Sequence, residues 1–118
     1  MAKVLVVDDA AFMRMRCGRF LTERGHTVVE AGDGDQAVKM YQQSRPDAVL
    51  MDVTMPRMDG LAALKEIRRI DPTARVAMVT AMGQQGVVVE ALKSGAKDFV
   101  MKPFEAERLI AALDRILA

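Results

Sequence analysis

The sequence predicts a single α/β domain over residues 1–118, with a parallel β-sheet covered by helices on both faces. Short apolar runs alternate along the whole chain with longer segments that have the apolar spacing of helices. Polar residues stand at the end of several of these runs, where parallel sheets bind ligands. Strict alternation favours parallel strands, because each right-handed crossover helix packs on one face of the sheet. The length allows one hydrophobic core and is too short for two.

The first three predicted strands are Lys3–Val7, Thr27–Val29 and the apolar run Val49–Met51, which ends in Asp52. The helix after the first strand is predicted from apolar residues on one face, which are Met13, Cys17, Phe20 and Leu21. The second helix is predicted in the same way from Gly34, Ala37, Val38 and Tyr41. Gly25 is expected to end the first helix, and Pro46 to close the turn before the third strand.

The rest of the chain continues the alternation with two more strands, Arg75–Val79 before Thr80 and Asp98–Met101. A third helix is predicted from Gly60, Ala63, Leu64 and Ile67, and a fifth from Leu109, Ile110, Leu113, Ile116 and Leu117. The fourth helix, between Gln84 and Ser94, is the weakest of these predictions. Gly86 and three consecutive valines in this segment lower its helix propensity.

Composition argues against several classes of function. The chain has 17 Lys and Arg against 16 Asp and Glu, a net charge of +1, so no nucleic-acid partner is expected. No apolar run is long enough for a signal peptide or a bilayer span, which predicts a cytoplasmic protein without a membrane partner. The single cysteine, Cys17, lies on the apolar stripe of a helix and is expected to be structural.

Residues that follow the predicted strands are expected to meet at one edge of the sheet; they are Asp8, Asp9, Asp52, Thr80 and Lys102. Three crowded carboxylates repel one another, so a cation is expected among them. Oxygen ligands without a nearby histidine or cysteine favour Mg²⁺ or a similar hard ion. Such a site suits phosphoryl transfer, in which a carboxylate is the nucleophile and a metal, a lysine and a hydroxyl stabilise the transferring group.

Motifs at these spacings resemble the receiver domain of two-component response regulators from one end of the chain to the other: VLVVDD, LMDVTMPRMDG, VTA and FVMKPF. DDAAFMR and AMGQQ further resemble the single-domain chemotaxis receivers of bacteria and archaea. The resemblance implies a flavodoxin-like, doubly wound (βα)5 fold, with a five-stranded parallel sheet in the order 2-1-3-4-5. Strands one and three would then be neighbours, which would bring Asp8 and Asp9 beside Asp52.

The resemblance also implies a role for each acid. Asp52 is similar to the family's phosphoacceptor, Asp9 to the direct Mg²⁺ ligand and Asp8 to the ligand that acts largely through water. The backbone carbonyl of Thr54 would complete the protein's share of the metal coordination.

Two further residues resemble the family's switch. Thr80 is similar to the hydroxyl that moves to bond the phosphoryl oxygens, and Lys102 to the cation that pairs with them. Phe99 stands where the family has its switch aromatic, although a core aromatic is an equally good interpretation. Pro103 would follow a cis peptide bond from Lys102, while only about 5–6% of X–Pro bonds in folded proteins are cis.

The resemblance implies signalling partners. A sensor histidine kinase would phosphorylate the protein, and the surface of the fourth helix, fifth strand and fifth helix would change for a flagellar motor switch protein. A phosphatase is a further expected partner. The protein would assist its own phosphorylation and dephosphorylation without being a conventional enzyme. Thr54 and Met82 stand where the family positions the hydrolytic water, and neither is an acid or a carboxamide. The resemblance therefore predicts a slower loss of phosphate than in receivers that carry a carboxamide and an acid at these positions.

Other hypotheses remain open from the sequence. An FMN-binding redox protein could share the fold, but two acids after the first strand would repel its phosphate unless a metal intervened. A Mg²⁺-dependent aspartyl-phosphate hydrolase would resemble a DxD pattern with a cap domain, whereas Asp8 and Asp9 are adjacent. Within the receiver family, the chain could be a phosphorelay intermediate or a receiver cut from a longer regulator.

Overall fold

The computed structural model describes residues 1–81 and 85–118, in which strands and helices alternate strictly. The strands are β1 (Lys3–Val7), β2 (Thr27–Ala31), β3 (Ala48–Asp52), β4 (Val76–Thr80) and β5 (Asp98–Met101). The helices are α1 (Ala11–Glu23), α2 (Gly34–Ser44), α3 (Gly60–Ile70), α4 (Gln85–Lys93) and α5 (Ala106–Leu117). The strands pair in parallel in the order β2-β1-β3-β4-β5. The predicted doubly wound fold and its strand order are therefore confirmed.

The central strands are buried on both faces of the sheet. β3 and β4 are buried throughout, and β1 is buried from Val4 to Val7. Their continuous apolar sequences are typical of parallel strands, because helices cover both faces. One apolar cluster packs the sheet against α2, α3 and α4, and the other packs it against α1 and α5. These two layers hold the strand ends, and the residues that follow them, in fixed positions.

Several strand boundaries differ from the sequence-based prediction by one or two residues, including the start of β3, which lies at Ala48. β2 continues past the predicted end at Val29 to Ala31, because its pairing with β1 extends to the Val7–Ala31 pair. β4 begins at Val76, and the carbonyl of the preceding Arg75 accepts the N–H of Val49 at 2.8 Å. These differences lie at strand ends, where the pairing partner decides more than local propensity.

The helix ends follow from residues that the sequence supplies. Asp33 caps α2 and Asp59 caps α3, because each carboxylate accepts a backbone N–H from the first turn of its helix. Gly25 follows α1 with a φ of +87°. Gln84, at the start of the predicted fourth helix, lies outside the described residues, and α4 ends at Lys93.

Two expectations drawn from composition can be compared with the structure. Within the described ranges, no helix is long and apolar enough to cross a bilayer. Cys17 is buried, and burial together with the nearby charge of Asp8 raises the pKa of its thiol to about 11. The thiol is therefore protonated at neutral pH and packs as a small apolar group, as the sequence predicts.

Candidate functional site

Three carboxylates converge at the carboxyl edge of the sheet. Asp8 and Asp9 follow β1, Asp52 is the last residue of β3, and one oxygen from each lies within 4.8 Å of the others. The parallel pairing of β1 with β3 extends to the Val7–Met51 pair and so aligns the two strand ends. Asp8 and Asp52 are buried, whereas Asp9 is exposed. Burial removes much of the water that would otherwise screen the repulsion between these acids.

Lys102 contacts two of these carboxylates. Its Nζ lies 3.1 Å from Asp8 Oδ2 and 3.3 Å from Asp52 Oδ1. The residue directly follows β5, and its backbone N–H donates to the carbonyl of Thr80 on β4 at 2.6 Å. The peptide bond between Lys102 and Pro103 is cis. The ammonium group therefore offsets part of the negative charge of the two buried acids.

The charges at this edge do not balance within the part of the chain that the structure describes, because the cluster has three carboxylates and the Lys102 ammonium contacts two of them. Burial and the charge of Asp8 raise the pKa of Asp52 above its usual range, in spite of Lys102. Burial lowers the pKa of Lys102, but the hydrogen bond with Asp8 and the charge of Asp52 raise it by more. Both net shifts are upward, for Asp52 through burial and the nearby acids and for Lys102 through its contacts with the two carboxylates. The excess of negative charge favours a bound cation.

The donor set fits a hard divalent cation. The cluster offers carboxylate oxygens, and none of its members is a histidine or a cysteine. Magnesium and calcium ions prefer oxygen ligands, whereas zinc sites usually include nitrogen or sulfur. Magnesium in particular binds through few carboxylates and retains waters that a phosphate can displace. This edge therefore has the chemistry to hold a metal ion and an oxyanion together.

The backbone of Asp8 is fixed by contacts that sequence reasoning did not identify. Arg14 of α1 donates from Nη1 to the Asp8 carbonyl at 2.7 Å and pairs through Nε with Glu30 at 3.0 Å. Asp8 Oδ1 also accepts the N–H of Ala10 at 2.9 Å. The arginines of α1 look alike in the sequence, and only the packing of α1 against the sheet distinguishes Arg14 from the others.

The loop between β3 and α3, residues 53–59, carries the exposed Thr54. The base of the loop is closed by Gly60, whose N–H donates to the carbonyl of Val53 at 2.8 Å. A Cβ on Gly60 would lie 1.9 Å from the carbonyl oxygen of Asp52, so only glycine fits there. The loop therefore leaves the sheet after Asp52, and its end at Gly60 packs directly against the backbone of Asp52.

The residues expected to switch lie on the neighbouring strands. Thr80, the last residue of β4, is 2% exposed, and its hydroxyl donates to the carbonyl of Ala81 at 3.3 Å. Phe99 of β5 is half-buried, and its carbonyl accepts a hydrogen bond from Arg108 of α5 at 2.8 Å. Met82, which the family resemblance implies would stand near the hydrolytic water, lies outside the described residues.

An apolar surface formed by α4, β5 and the start of α5 lies beside this edge, and we call it the α4–β5–α5 surface. A cavity of about 320 Å³ lies between α4 and β5 and is lined by residues that include Thr80, Val88, Leu92, Phe99 and Met101. Phe99 and Met101 also border a second cavity of about 450 Å³ toward α5. Val89, Leu92 and Met101 are 51%, 42% and 39% exposed. Grouped exposed apolar side chains are typical of interaction surfaces.

Known proteins similar to this chain identify its family. Residues 4–114 match the family model of the response regulator receiver domain. The chain is 53% identical to the chemotaxis protein CheY of Bacillus subtilis, over 98% of this chain and 97% of that protein. It is 50% identical to CheY of Thermotoga maritima, over 97% of this chain and 96% of that protein.

A solved structure agrees with these relatives. The CheX–CheY–BeF3–Mg²⁺ complex from Borrelia burgdorferi has a chain with a TM-score of 0.93 and 34% identity, over 98% of this chain and 89% of that one. The resemblance indicated by the sequence motifs is confirmed over nearly the whole chain. This chain belongs to the family of response regulator receiver domains.

Proposed function

We propose that this protein is the phosphoacceptor of a two-component system, in which Asp52 receives a phosphoryl group from the phosphohistidine of a sensor histidine kinase. The observation that carries the proposal is the convergence of three carboxylates within 4.8 Å, with Lys102 in contact with two of them. In the transfer, the P–N bond of the phosphohistidine breaks and a P–O bond to a carboxylate oxygen of Asp52 forms. The imidazole is the leaving group and takes up a proton.

The residues around Asp52 divide the work of this transfer. Burial leaves the Asp52 carboxylate poorly solvated, so less hydration is lost when it attacks the phosphorus atom. Lys102, already 3.3 Å from Asp52 Oδ1, exchanges this contact for one with a phosphoryl oxygen. The Thr80 hydroxyl exchanges its hydrogen bond to the Ala81 carbonyl for a hydrogen bond to a second phosphoryl oxygen. Each group thereby stabilises the negative charge of the product.

Mg²⁺ is the proposed cofactor, and its ligands are carboxylate oxygens of Asp9 and Asp52 and the backbone carbonyl of Thr54. Asp8 acts largely through water, since its two oxygens already contact Lys102 and the N–H of Ala10. The exposure of Asp9 supports its role as a direct ligand. When bound, Mg²⁺ supplies positive charge that stabilises the oxygens of the transferring group. The Borrelia structure, described as containing BeF3 and Mg²⁺, supports this choice of metal.

The α4–β5–α5 surface is the proposed output surface. Thr80 and Phe99 line the same cavity, so movement of Thr80 toward a phosphoryl group changes the wall against which Phe99 packs. Rotation of Phe99 into that space would change the surface that a cytoplasmic partner contacts. Relatives named as chemotaxis proteins support a flagellar motor switch protein as that partner. The Borrelia structure is a complex of CheY with CheX, which supports a further protein partner of this chain, such as a phosphatase.

Acetyl phosphate, a small phosphodonor, provides the test of Asp52. In the presence of Mg²⁺, intact-mass measurement of the wild type should show one added phosphoryl group, because the acidic site assists the transfer without the kinase. Asp52→Asn should abolish the adduct. Asp59→Asn is the matched control, because this acid lies in the same loop but caps α3, where asparagine caps equally well.

Each result bears on a different part of the proposal. An adduct of unchanged yield in Asp52→Asn would show that another residue is the acceptor. A wild type that forms no adduct with Mg²⁺ present would contradict phosphoacceptor function altogether. An adduct that forms equally well in the presence of a chelator would show that the transfer does not require Mg²⁺.

A further inference from the structure

We propose that Arg57 is a positioning residue, whose ion pair with Asp33 holds the β3–α3 loop so that the Thr54 carbonyl faces the cation site. This inference rests on the proposed function, because it concerns how the loop serves the proposed Mg²⁺ site. It assigns a role to a side chain that does not contact the carboxylate cluster.

Arg57 has a backbone conformation that arginine rarely adopts. Its φ is +62°, in the left-handed region, where a Cβ atom crowds the backbone. A residue other than glycine stays in this region only when neighbouring contacts hold it there. The loop therefore contains a strained position, and its conformation depends on what Arg57 contacts.

The contact that holds Arg57 is an ion pair with a buried acid. Arg57 Nη1 donates to Asp33 Oδ2 at 2.8 Å, and the Asp33 side chain is only 7% exposed. Asp33 is itself fixed, because its other oxygen accepts the N–H of Gln36 at 2.8 Å and caps α2. The N–H of Gln36 and the pairing with Arg57 also hold the pKa of Asp33 below its usual value, against the effect of burial. The N–H of Gln36 thus holds the carboxylate that Arg57 binds at the start of α2.

A backbone hydrogen bond fastens the next residue of the loop to the same helix. The carbonyl of Met58 accepts the N–H of Gly34 at 2.9 Å, and a Cβ on Gly34 would lie 2.1 Å from that oxygen. The far end of the loop is therefore attached to the N-terminus of α2, while the near end leaves β3 at Asp52. Thr54 lies between these two attachments. The direction of its carbonyl consequently depends on both of them.

Substitution of Arg57 distinguishes two explanations of its role, one as a residue that positions the loop and one as a positive charge near the cation site. If Arg57 acted only as a positive charge near an acidic site, its loss would strengthen the binding of a cation. If Arg57 positions the loop, its loss weakens binding, because one ligand is no longer presented. The two explanations thus predict opposite signs for the same substitution.

The test is the Mg²⁺ affinity of Arg57→Asn, measured by calorimetric titration without any phosphodonor. Asparagine tolerates the left-handed conformation but is too short to pair with Asp33. We expect the dissociation constant to rise about three- to tenfold, at or below the lower end of the range for residues that support metal ligands. Arg57→Lys keeps a cation that can reach Asp33 and should restore most of the affinity.

Arg45→Asn is the matched control. Arg45 is the other non-glycine residue with positive φ in the described ranges, and its Nη1 lies 3.9 Å from an oxygen of Asp71. It ends α2 at the opposite end of that helix from Asp33. Its substitution should leave the Mg²⁺ affinity unchanged, and urea unfolding will show that each variant is folded.

The inference and the proposed function fail in different ways. A wild type that binds no Mg²⁺ contradicts the proposed function. A wild type that binds Mg²⁺, together with an Arg57→Asn variant that binds it equally or more tightly, overturns the positioning role. Equal weakening in Arg45→Asn would also overturn it, because the effect would then be general.

Discussion

The acidic edge of the sheet and the α4–β5–α5 surface both reverse the usual distribution of polar and apolar groups. At the edge, Asp8 and Asp52 are buried, with Lys102 to offset their charge. On the surface, Val89 and Leu92 are about half exposed to water. Buried charge and grouped exposed apolar area both lower stability, so each region indicates function. The first suits an ion and a transferring group, and the second suits a protein partner.

The two regions meet at Thr80. Asp52 pairs with the residue before Thr80 in the sheet, and the N–H of Lys102 donates to the Thr80 carbonyl. Thr80 also lines the apolar cavity beneath α4. A change of charge at the edge and a change of shape at the surface therefore share one buried residue. The comparison can be tested at the edge, at Thr80 itself, and at a carboxylate that lies in neither region.

The largest expected effect is on the stability of the edge. Asp52→Asn should raise the free energy of unfolding by about 1–2 kcal/mol at neutral pH in a chelator, because it removes a buried charge that the other acids repel. Urea unfolding measures this difference. The pKa of Asp52 is raised in the folded state, so the cost of its charge is absent in acid and appears as pH rises through that pKa. The stabilising effect of the substitution should therefore disappear in acid.

Asp59→Asn again provides the control, because it removes an exposed charge from the same loop and retains a helix cap. We expect its free energy of unfolding to stay within about 0.5 kcal/mol of the wild type. Saturating Mg²⁺ should stabilise the wild type more than Asp52→Asn, because the ion binds only the folded state and loses a ligand in the variant. A destabilised Asp52→Asn variant in chelator would show that the three acids are not in conflict.

The sequence predicts most of the residues that meet at the acidic edge, and the reason lies in the geometry of a parallel sheet. Parallel strands end at a common edge, so the residues after β1, β3, β4 and β5 must meet there once the alternation of strands and helices is recognised. The ion pair of Arg57 with Asp33 was not predictable in this way. The two residues are 24 positions apart and lie in loops, where no periodic pattern exists. The contact of Arg14 with the Asp8 carbonyl was equally unpredictable from the sequence, because it depends on how α1 packs against the sheet.

Thr80→Ala should weaken the coupling between the acidic edge and the α4–β5–α5 surface, and we expect a smaller effect than that of Asp52→Asn. The variant retains the carboxylates and Lys102, so we expect acetyl phosphate still to add a phosphoryl group to Asp52. Without the hydroxyl, nothing draws residue 80 toward the phosphoryl group. Amide shifts upon phosphorylation across residues 85–110 should therefore shrink by about twofold or more in NMR spectra.

Thr22→Ala is a suitable control, because this hydroxyl donates to the Gly18 carbonyl within α1, far along the chain from the switch. Its phosphorylation shifts should remain at full size. Equally full shifts in Thr80→Ala would mean that the edge and the α4–β5–α5 surface communicate by another route.

Asp71 offers a comparison with Asp52 outside both regions. Hydrogen bonds from Thr73 and from the Tyr41 hydroxyl, the latter at 2.7 Å, lower the pKa of Asp71 to about 2. The same residue type thus has its pKa shifted in opposite directions, because Asp71 accepts hydrogen bonds, whereas Asp52 is buried and faces like charges. A lowered pKa contributes stability that is fully present above the pKa of the unfolded chain and is lost as pH falls through the folded pKa.

Tyr41→Phe should accordingly have the smallest effect, and one that depends on pH in the opposite sense to Asp52→Asn. Loss of the hydrogen bond should lower the free energy of unfolding by about 1 kcal/mol at neutral pH. The difference from the wild type should shrink as pH falls from about 4 toward about 2, because Asp71 then becomes protonated in both proteins. Urea unfolding across this range measures it. A constant difference over the whole range would show that Tyr41 stabilises the fold by packing, without favouring the charged form of Asp71.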